Sequence, residues 1–200
     1  MPTAPRVLLF DLGGVLIELD AFARLQAICP DSPGEDCIRI RWLASPALRA
    51  FELGRIGADE FARQFVCEWR LPWSPERFLR EFEHWPRALY PGAETLLLAL
   101  RARYRVCCLT NSNELHLAAR PELGTLFDDL FSSHRLGLVK PDPAIFHRVV
   151  ELLGVPAEAI VFFDDAPPNV ESASRVGLQA HHVMGFPALA ARVAELALLA

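Results

Sequence analysis

A carboxylate, a hydroxyl, a lysine and a pair of adjacent carboxylates stand at or just beyond apolar runs in this chain. Asp11 follows Val7-Leu8-Leu9-Phe10. Thr110 follows Val106-Cys107-Cys108-Leu109. Asp164-Asp165 follow Ile160-Val161-Phe162-Phe163, and Lys140 lies in the loop Gly137-Leu138-Val139-Lys140-Pro141-Asp142-Pro143. Uninterrupted apolar runs of this length read as strands buried on both faces of a parallel sheet. In open α/β sheets, ligands bind outside the carboxyl ends of such strands. A nucleophile type, a hydroxyl, a cation and a metal-type acid pair would therefore meet at one edge. Gly13 and Gly14, directly after Asp11, allow a sharp turn with N–H groups aimed inward, which suits an anion. Each stretch also has a plain reading. Asp and Gly form ordinary turns, Thr110 can cap a helix, and a loop lysine is commonly solvated.

The elements that must position these residues are legible in outline. From Pro91 onward, helix and strand alternate. A helix opens at Pro91-Gly92, and a strand covers Tyr104 to Leu109. A helix starts near Glu114, with a short strand around Leu130–Ser133. The next helix carries Ile145, Phe146, Val149 and Val150 on one face. A strand over Ile160–Phe163 and a helix from Asn169 to Val176 that stops at Gly177 come next. A strand near Leu178–Val183 and a final helix over Ala188–Leu199 complete the pattern. That alternation predicts an α/β fold with a Rossmann-like parallel sheet. Between Glu18 and Tyr90 the pattern is helical, without a convincing strand. Gly57 and Ser74-Pro75 read as helix starts there. The expected organisation is a core of residues 1–17 and 91–200 with a helical cap, residues 18–90, inserted after the first strand. All four tryptophans fall in that insertion and read as its core rather than as substrate contacts.

Composition narrows the function. With 52% hydrophobic residues, a packed globular chain is expected. A net charge of −5 argues against a nucleic-acid partner, though not against a phosphate pocket. No apolar run reaches the length of a membrane span, and only Arg6 precedes the first strand as a basic residue, so neither a span nor a signal sequence is expected. Five cysteines without a C-x-x-C pair fit a reducing cytoplasm.

With these residues in place, the chain resembles the haloacid dehalogenase superfamily of hydrolases, in the branch with a helical cap. Phe10-Asp11-Leu12-Gly13-Gly14-Val15-Leu16, Leu109-Thr110-Asn111-Ser112-Asn113, the Lys140 loop and Val161-Phe162-Phe163-Asp164-Asp165 carry the resemblance. Within that superfamily it is most similar to small bacterial phosphatases acting on sugar phosphates such as glucose 1-phosphate. The resemblance implies a phosphatase with Asp11 as nucleophile, which needs no activating base because an aspartate is ionised at neutral pH. It implies Mg²⁺ held by Asp11, the Gly13 carbonyl and Asp165, with Asp164 beside it. Lys140 would offset charge and orient Asp11. Thr110, the Asn111 N–H and Gly14 would face the phosphate of a small-molecule substrate.

One position departs from that family's phosphatase pattern. Those enzymes carry a second aspartate two residues after the nucleophile, which protonates the leaving alcohol and then activates water. Gly13 stands there. Mutase activity is disfavoured, and a weakly basic leaving group such as an anomeric hydroxyl is favoured. His116 or His134 could supply the proton instead, and Arg135, Glu52 and Arg55 are candidate sugar contacts. Two other functions stay open: a haloacid dehalogenase proper, which needs neither acid nor metal, and a phosphate-binding module without turnover. Oligomeric state is not legible.

Overall fold

A computed structural model describes residues 4–31 and 34–199. The chain begins with β1 (Val7–Phe10) and β2 (Ile17–Leu19). Five helices follow: α1 (Ala21–Ile28), α2 (Glu35–Leu43), α3 (Pro46–Glu52), α4 (Ala58–Trp69) and α5 (Pro75–Phe82). After β3 (Pro86–Leu89) come α6 (Ala93–Arg101), β4 (Arg105–Thr110), α7 (Glu114–Ala118), α8 (Leu123–Leu126), β5 (Asp129–Ser132), α9 (Ser133–Leu136) and α10 (Pro143–Leu153). The remainder is β6 (Ile160–Asp164), α11 (Pro167–Val176), β7 (Gln179–His182) and α12 (Gly185–Glu195).

The five long-range strands pair in parallel in the order β5-β4-β1-β6-β7. The expected α/β parallel sheet is therefore present, with β1 at its centre. Every residue of β1 is buried, as a strand covered on both faces requires. Its alternate side chains serve two hydrophobic clusters, one on each face of the sheet. Leu8 and Phe10 point to one face, where Phe10 stacks on Phe163 at 5.1 Å, and Val7 and Leu9 point to the other. Burying each such side chain contributes roughly 1.5–3 kcal/mol.

Helices α1–α5 gather around a third cluster, which is aromatic. Phe51, Phe61, Phe65, Phe78 and Phe82 touch one another in a chain, closed by Trp69 and Trp85. The buried residues of this cluster run from Ala21 to Trp85, within the expected insertion. The helix starts follow from local chemistry. Ser45 and Ser74 accept bonds from Leu48 and Arg77 N–H groups, and Pro46 and Pro75 occupy the first helical turn. One expectation fails here, because β2 and β3 form a small antiparallel ribbon at the two ends of the insertion. These strands are three and four residues long, largely exposed, and one begins at Pro86. They form by pairing across the whole insertion, which leaves no local periodicity to read. The last helix also lies further back than its periodicity predicts. No helix among the described residues is long and apolar enough to cross a membrane.

Candidate active site

Strand register places the site. Phe10 lies beside Phe163 on β6 and beside Cys108 on β4, so Asp11 emerges next to Asp164 and near Thr110. The Asp11 N–H donates to Phe163 O at 2.9 Å and carries the ladder one residue further. Lys140 enters from the loop before α10. Its ammonium donates to Asp11 Oδ1 at 3.0 Å, Asp164 Oδ2 at 2.7 Å and Leu109 O at 3.0 Å. Asn111 holds that loop with two bonds to the Lys140 backbone: its Oδ1 accepts from Lys140 N and its Nδ2 donates to Lys140 O, both at 2.9 Å. The Asn111 side chain is thus a brace, which leaves its backbone N–H for the expected anion contact. The Thr110 hydroxyl has only a marginal 3.5 Å contact to Asn111 O and stays available.

Three carboxylates crowd this point. Asp11, Asp164 and Asp165 each offer an oxygen within 4.8 Å of the others. Burial raises the Asp11 pKa to about 7; Lys140 opposes the rise, and Asp164 and Asp165 add to it. Burial likewise raises Asp165, with Asp164 contributing. For Lys140, burial disfavours the charge, but Asp11 and Asp164 outweigh it and raise the pKa. One ammonium against three carboxylates leaves an excess of buried negative charge. A hard divalent cation on oxygen ligands would balance it, so the donor set fits Mg²⁺. Asp11, Asp165 and the Gly13 carbonyl could hold it.

Asp164, expected beside the metal, has both of its oxygens already engaged by protein donors. Oδ2 accepts from Lys140, and Oδ1 accepts from Ala166 N and Asn169 Nδ2, both at 2.9 Å. Its place is beneath the site, orienting Lys140. Gly14 also needs correcting. Its N–H donates to Ile17 O and its carbonyl accepts from Gly185 N, so it presents nothing to an anion. What Gly14 supplies is room. Its φ is +72°, and a Cβ there would lie 2.2 Å from Asp165 Oδ2.

These groups open into a cavity of roughly 610 Å³ between the sheet's end and the helices. Asp11, Gly13, Thr110, Asn111, His116, Lys140 and Asp165 line it, as does Glu52. Arg55, His134 and Arg135 do not. His134 Nδ1 instead faces Ser112 O at 3.3 Å. His116 lines the wall with its ring committed. Nε2 meets Phe82 O at 2.8 Å, and Nδ1 meets Asn113 Nδ2 at 3.2 Å. A carbonyl can only accept and an amide nitrogen can only donate, so the imidazole is neutral with both nitrogens used. Burial lowers its pKa to about 4, against which the Phe82 carbonyl works. His116 therefore neither carries a proton to spare nor has a nitrogen free for substrate.

The rest of the wall was not foreseen from sequence. Leu12, Leu19, Phe22, Trp42, Leu48, Trp85 and Leu117 give it an apolar surface, with Arg39, Arg49 and Arg120 among them. Arg39 pairs with Glu35 and lies over Phe22, and Arg120 donates to Pro86 O. For Arg49 and Glu52 a sequence signal existed: spacing of three puts both on one helix face.

The chain matches the haloacid dehalogenase-like hydrolases over residues 5–177. It belongs to this family. The D-ribitol-5-phosphate phosphatase of Bacteroides thetaiotaomicron is 27% identical over 194 residues, covering 86% of this chain and 88% of that protein. A drimenol cyclase of Aspergillus calidoustus is 29% identical over 181 residues, 87% of this chain, but the chain spans only 33% of its length. Among solved structures, a member of this family from Bacteroides thetaiotaomicron, in complex with magnesium and inorganic phosphate, superposes with a TM-score of 0.76. The two are 25% identical, and the match covers 90% of this chain and 94% of that one.

Proposed function

We propose that this haloacid dehalogenase-like hydrolase is a magnesium-dependent phosphatase that hydrolyses a small phosphomonoester through an aspartyl-phosphate on Asp11. The observation that carries the reading is the buried lysine bonded at once to Asp11 and Asp164, beneath a cavity where three carboxylates converge. Lys140 fixes the Asp11 carboxylate at the cavity floor. Asp11 attacks phosphorus, the ester oxygen leaves, and water then cleaves the acyl phosphate. Thr110 Oγ1 and the Asn111 N–H bind phosphate oxygens. Mg²⁺, when bound by Asp11, Asp165 and the Gly13 carbonyl, supplies the positive charge that offsets repulsion between carboxylate and phosphate dianion.

Two substrate readings have an observation each. Gly13 in place of a side-chain acid favours a weakly basic leaving group, as in a sugar 1-phosphate, and the ribitol-phosphate relative supports a polyol. The Leu19, Phe22, Trp42 and Trp85 wall favours an apolar alcohol. The dehalogenase reading has the carboxylate cluster against it, since halide expulsion needs no cation there. The five cysteines form no disulfide, which suits a reducing cytoplasm.

The test is phosphate release from a panel of sugar, polyol and alkyl phosphates, with Mg²⁺ and with EDTA, using Asp11→Asn as blank. Mg²⁺-dependent release that Asp11→Asn abolishes supports the phosphatase, and the preferred ester decides between the two leaving groups. Halide release from a haloacid without Mg²⁺, with no phosphate release, overturns it.

A further inference from the structure

Nothing at position 13 can protonate a leaving alcohol, and the Leu19 side chain lies over the space beside it. A Cβ on Gly13 would lie 2.6 Å from Leu19 Cδ1. His116, the neighbouring imidazole, is committed on both nitrogens. The cavity nevertheless holds one further carboxyl group. Glu52 is the last residue of α3 and is half-buried in the cavity wall. No hydrogen bond or ion pair engages its carboxylate among the described residues, whereas Glu35 and Glu60, on the helices α2 and α4 that adjoin α3 in sequence, each pair with an arginine.

Its position is fixed from both sides. The helix ends in a Schellman turn, with Arg55 N bonded to Ala50 O and Gly54 N to Phe51 O. Gly54 has φ +67°, and a Cβ there would lie 2.5 Å from the His134 carbonyl. The turn after Glu52 thus rests directly on the backbone of α9, which leads into the Lys140 loop. The cap is docked on the sheet's end where Glu52 enters the cavity.

We infer that Glu52 is the acid–base group of this site, replacing the aspartate that Gly13 lacks. The inference rests on the phosphatase reading above. In the first step an Asp11 oxygen bonds to phosphorus and the bond from phosphorus to the ester oxygen breaks. The Glu52 carboxyl passes its proton to that oxygen and becomes a carboxylate. In the second step Glu52 takes a proton from water as the water oxygen bonds to phosphorus. The Asp11–phosphorus bond breaks, inorganic phosphate leaves, and both side chains return to their starting forms. The electrostatics agree with this cycle. Burial raises the Glu52 pKa to about 7, with Asp11 adding to the rise and Arg49 and Lys140 opposing it. The carbonyl end of α3 disfavours its charge as well. Both protonation states are accessible near neutrality, as a group that gives and then takes a proton requires. Asp165, Arg39, His116 and Arg120 are the other ionisable groups on this cavity.

The experiment uses Glu52→Gln and Glu52→Asp with Mg²⁺ and two esters, an alkyl phosphate and p-nitrophenyl phosphate. The nitrophenolate departs without a proton, so only the second step needs Glu52. The expected result for Glu52→Gln is a fall in kcat of about 10²–10³-fold on the alkyl ester. On the aryl ester it should give a rapid burst of one nitrophenolate per protein followed by slow turnover. Glu52→Asp should recover part of the alkyl activity, while Glu60→Gln, an exposed carboxylate on α4, should behave as wild type. Equal slowing of burst and alkyl turnover would show a merely structural role and overturn the proposal. So would a Glu52→Gln enzyme indistinguishable from wild type, which would leave the phosphatase reading intact. Absence of release by the wild-type protein from every ester would overturn both.

Discussion

The end of the sheet and the helical cap are built from opposite materials. Nearly every buried polar residue described lies in the α/β part: Asp11, Thr110, Ser112, Asn113, Ser132, Ser133, Lys140, Asp164, Asn169 and Ser172. The cap contributes only Ser45, which caps a helix. Its interior is rings packed face to face and edge to face, and the indole N–H groups of Trp69 and Trp85 find no acceptor there. The contrast follows from what each region must hold still. Buried charges persist only where bonds satisfy them on several sides, and adjacent parallel strands deliver such groups in fixed register. Short helices joined by turns can only be held by packing area, which large rings supply. Chemistry is therefore fixed on the sheet, while the cap supplies shape and one carboxyl group.

Three substitutions test that division, in falling order of effect. Asp11→Asn should reduce phosphate release by at least about 10⁴-fold. Its melting temperature should equal or exceed that of wild type, because it removes one of three crowded carboxylates. A loss of stability alongside activity would mean that Asp11 holds the fold together. Lys140→Met strikes both properties. It leaves Asp11 and Asp164 buried without their shared cation, at a cost of about 3–5 kcal/mol. Turnover should fall about 10²–10³-fold, and denaturant melts together with phosphate-release assays would show both. Phe61→Ala strikes the cap alone. Phe61 contacts Phe51, Phe65, Phe78 and Phe82, and its loss should cost about 3–5 kcal/mol. All four tryptophans lie in the cap, so tryptophan fluorescence follows that loss directly. Phosphate affinity should stay within about threefold. A collapse of phosphate binding would show that the two regions are not separable.

The same contrast explains what could be read from sequence. Strands β1, β4 and β6 announced themselves because strands buried on both faces must be apolar throughout, and their register then brought Asp11, Thr110 and Asp164 together. Lys140 was found through its loop motif. Roles that depend on spare hydrogen-bonding capacity were not legible. Gly14 looked like an anion contact, but its N–H goes to Ile17, and Asp164 was expected beside the metal, but donors engage both its oxygens and tie it to Lys140. Sequence shows that a donor or acceptor exists, whereas its availability depends on partners far along the chain. The cavity wall was hidden for a related reason. Trp42 and Trp85 have the same apolar character as the cap's core, and only packing decides which ring faces the cavity.

His116 sits at the junction of the two regions and gives the smallest, most diagnostic effect. Its ring stacks on Phe82 of α5 at 4.4 Å while its Nε2 donates to the Phe82 carbonyl. In the folded chain burial lowers its pKa to about 4, while in the unfolded chain it titrates near 6.5. Between those values the unfolded state binds more protons, so stability must fall as pH drops through that window, by about 3 kcal/mol in all. His116→Phe keeps the stack and loses the bond. At pH 7.5 it should be less stable than wild type by about 1 kcal/mol. As pH falls from about 6.5 to 4 the wild type alone pays the protonation cost. The gap should close and then reverse by about 2 kcal/mol. Denaturant melts of both proteins across that range measure it. A constant gap would mean that the imidazole titrates alike in the folded and unfolded chains, and His116 would then not be a neutral ring buried between the apolar cap and the polar sheet end.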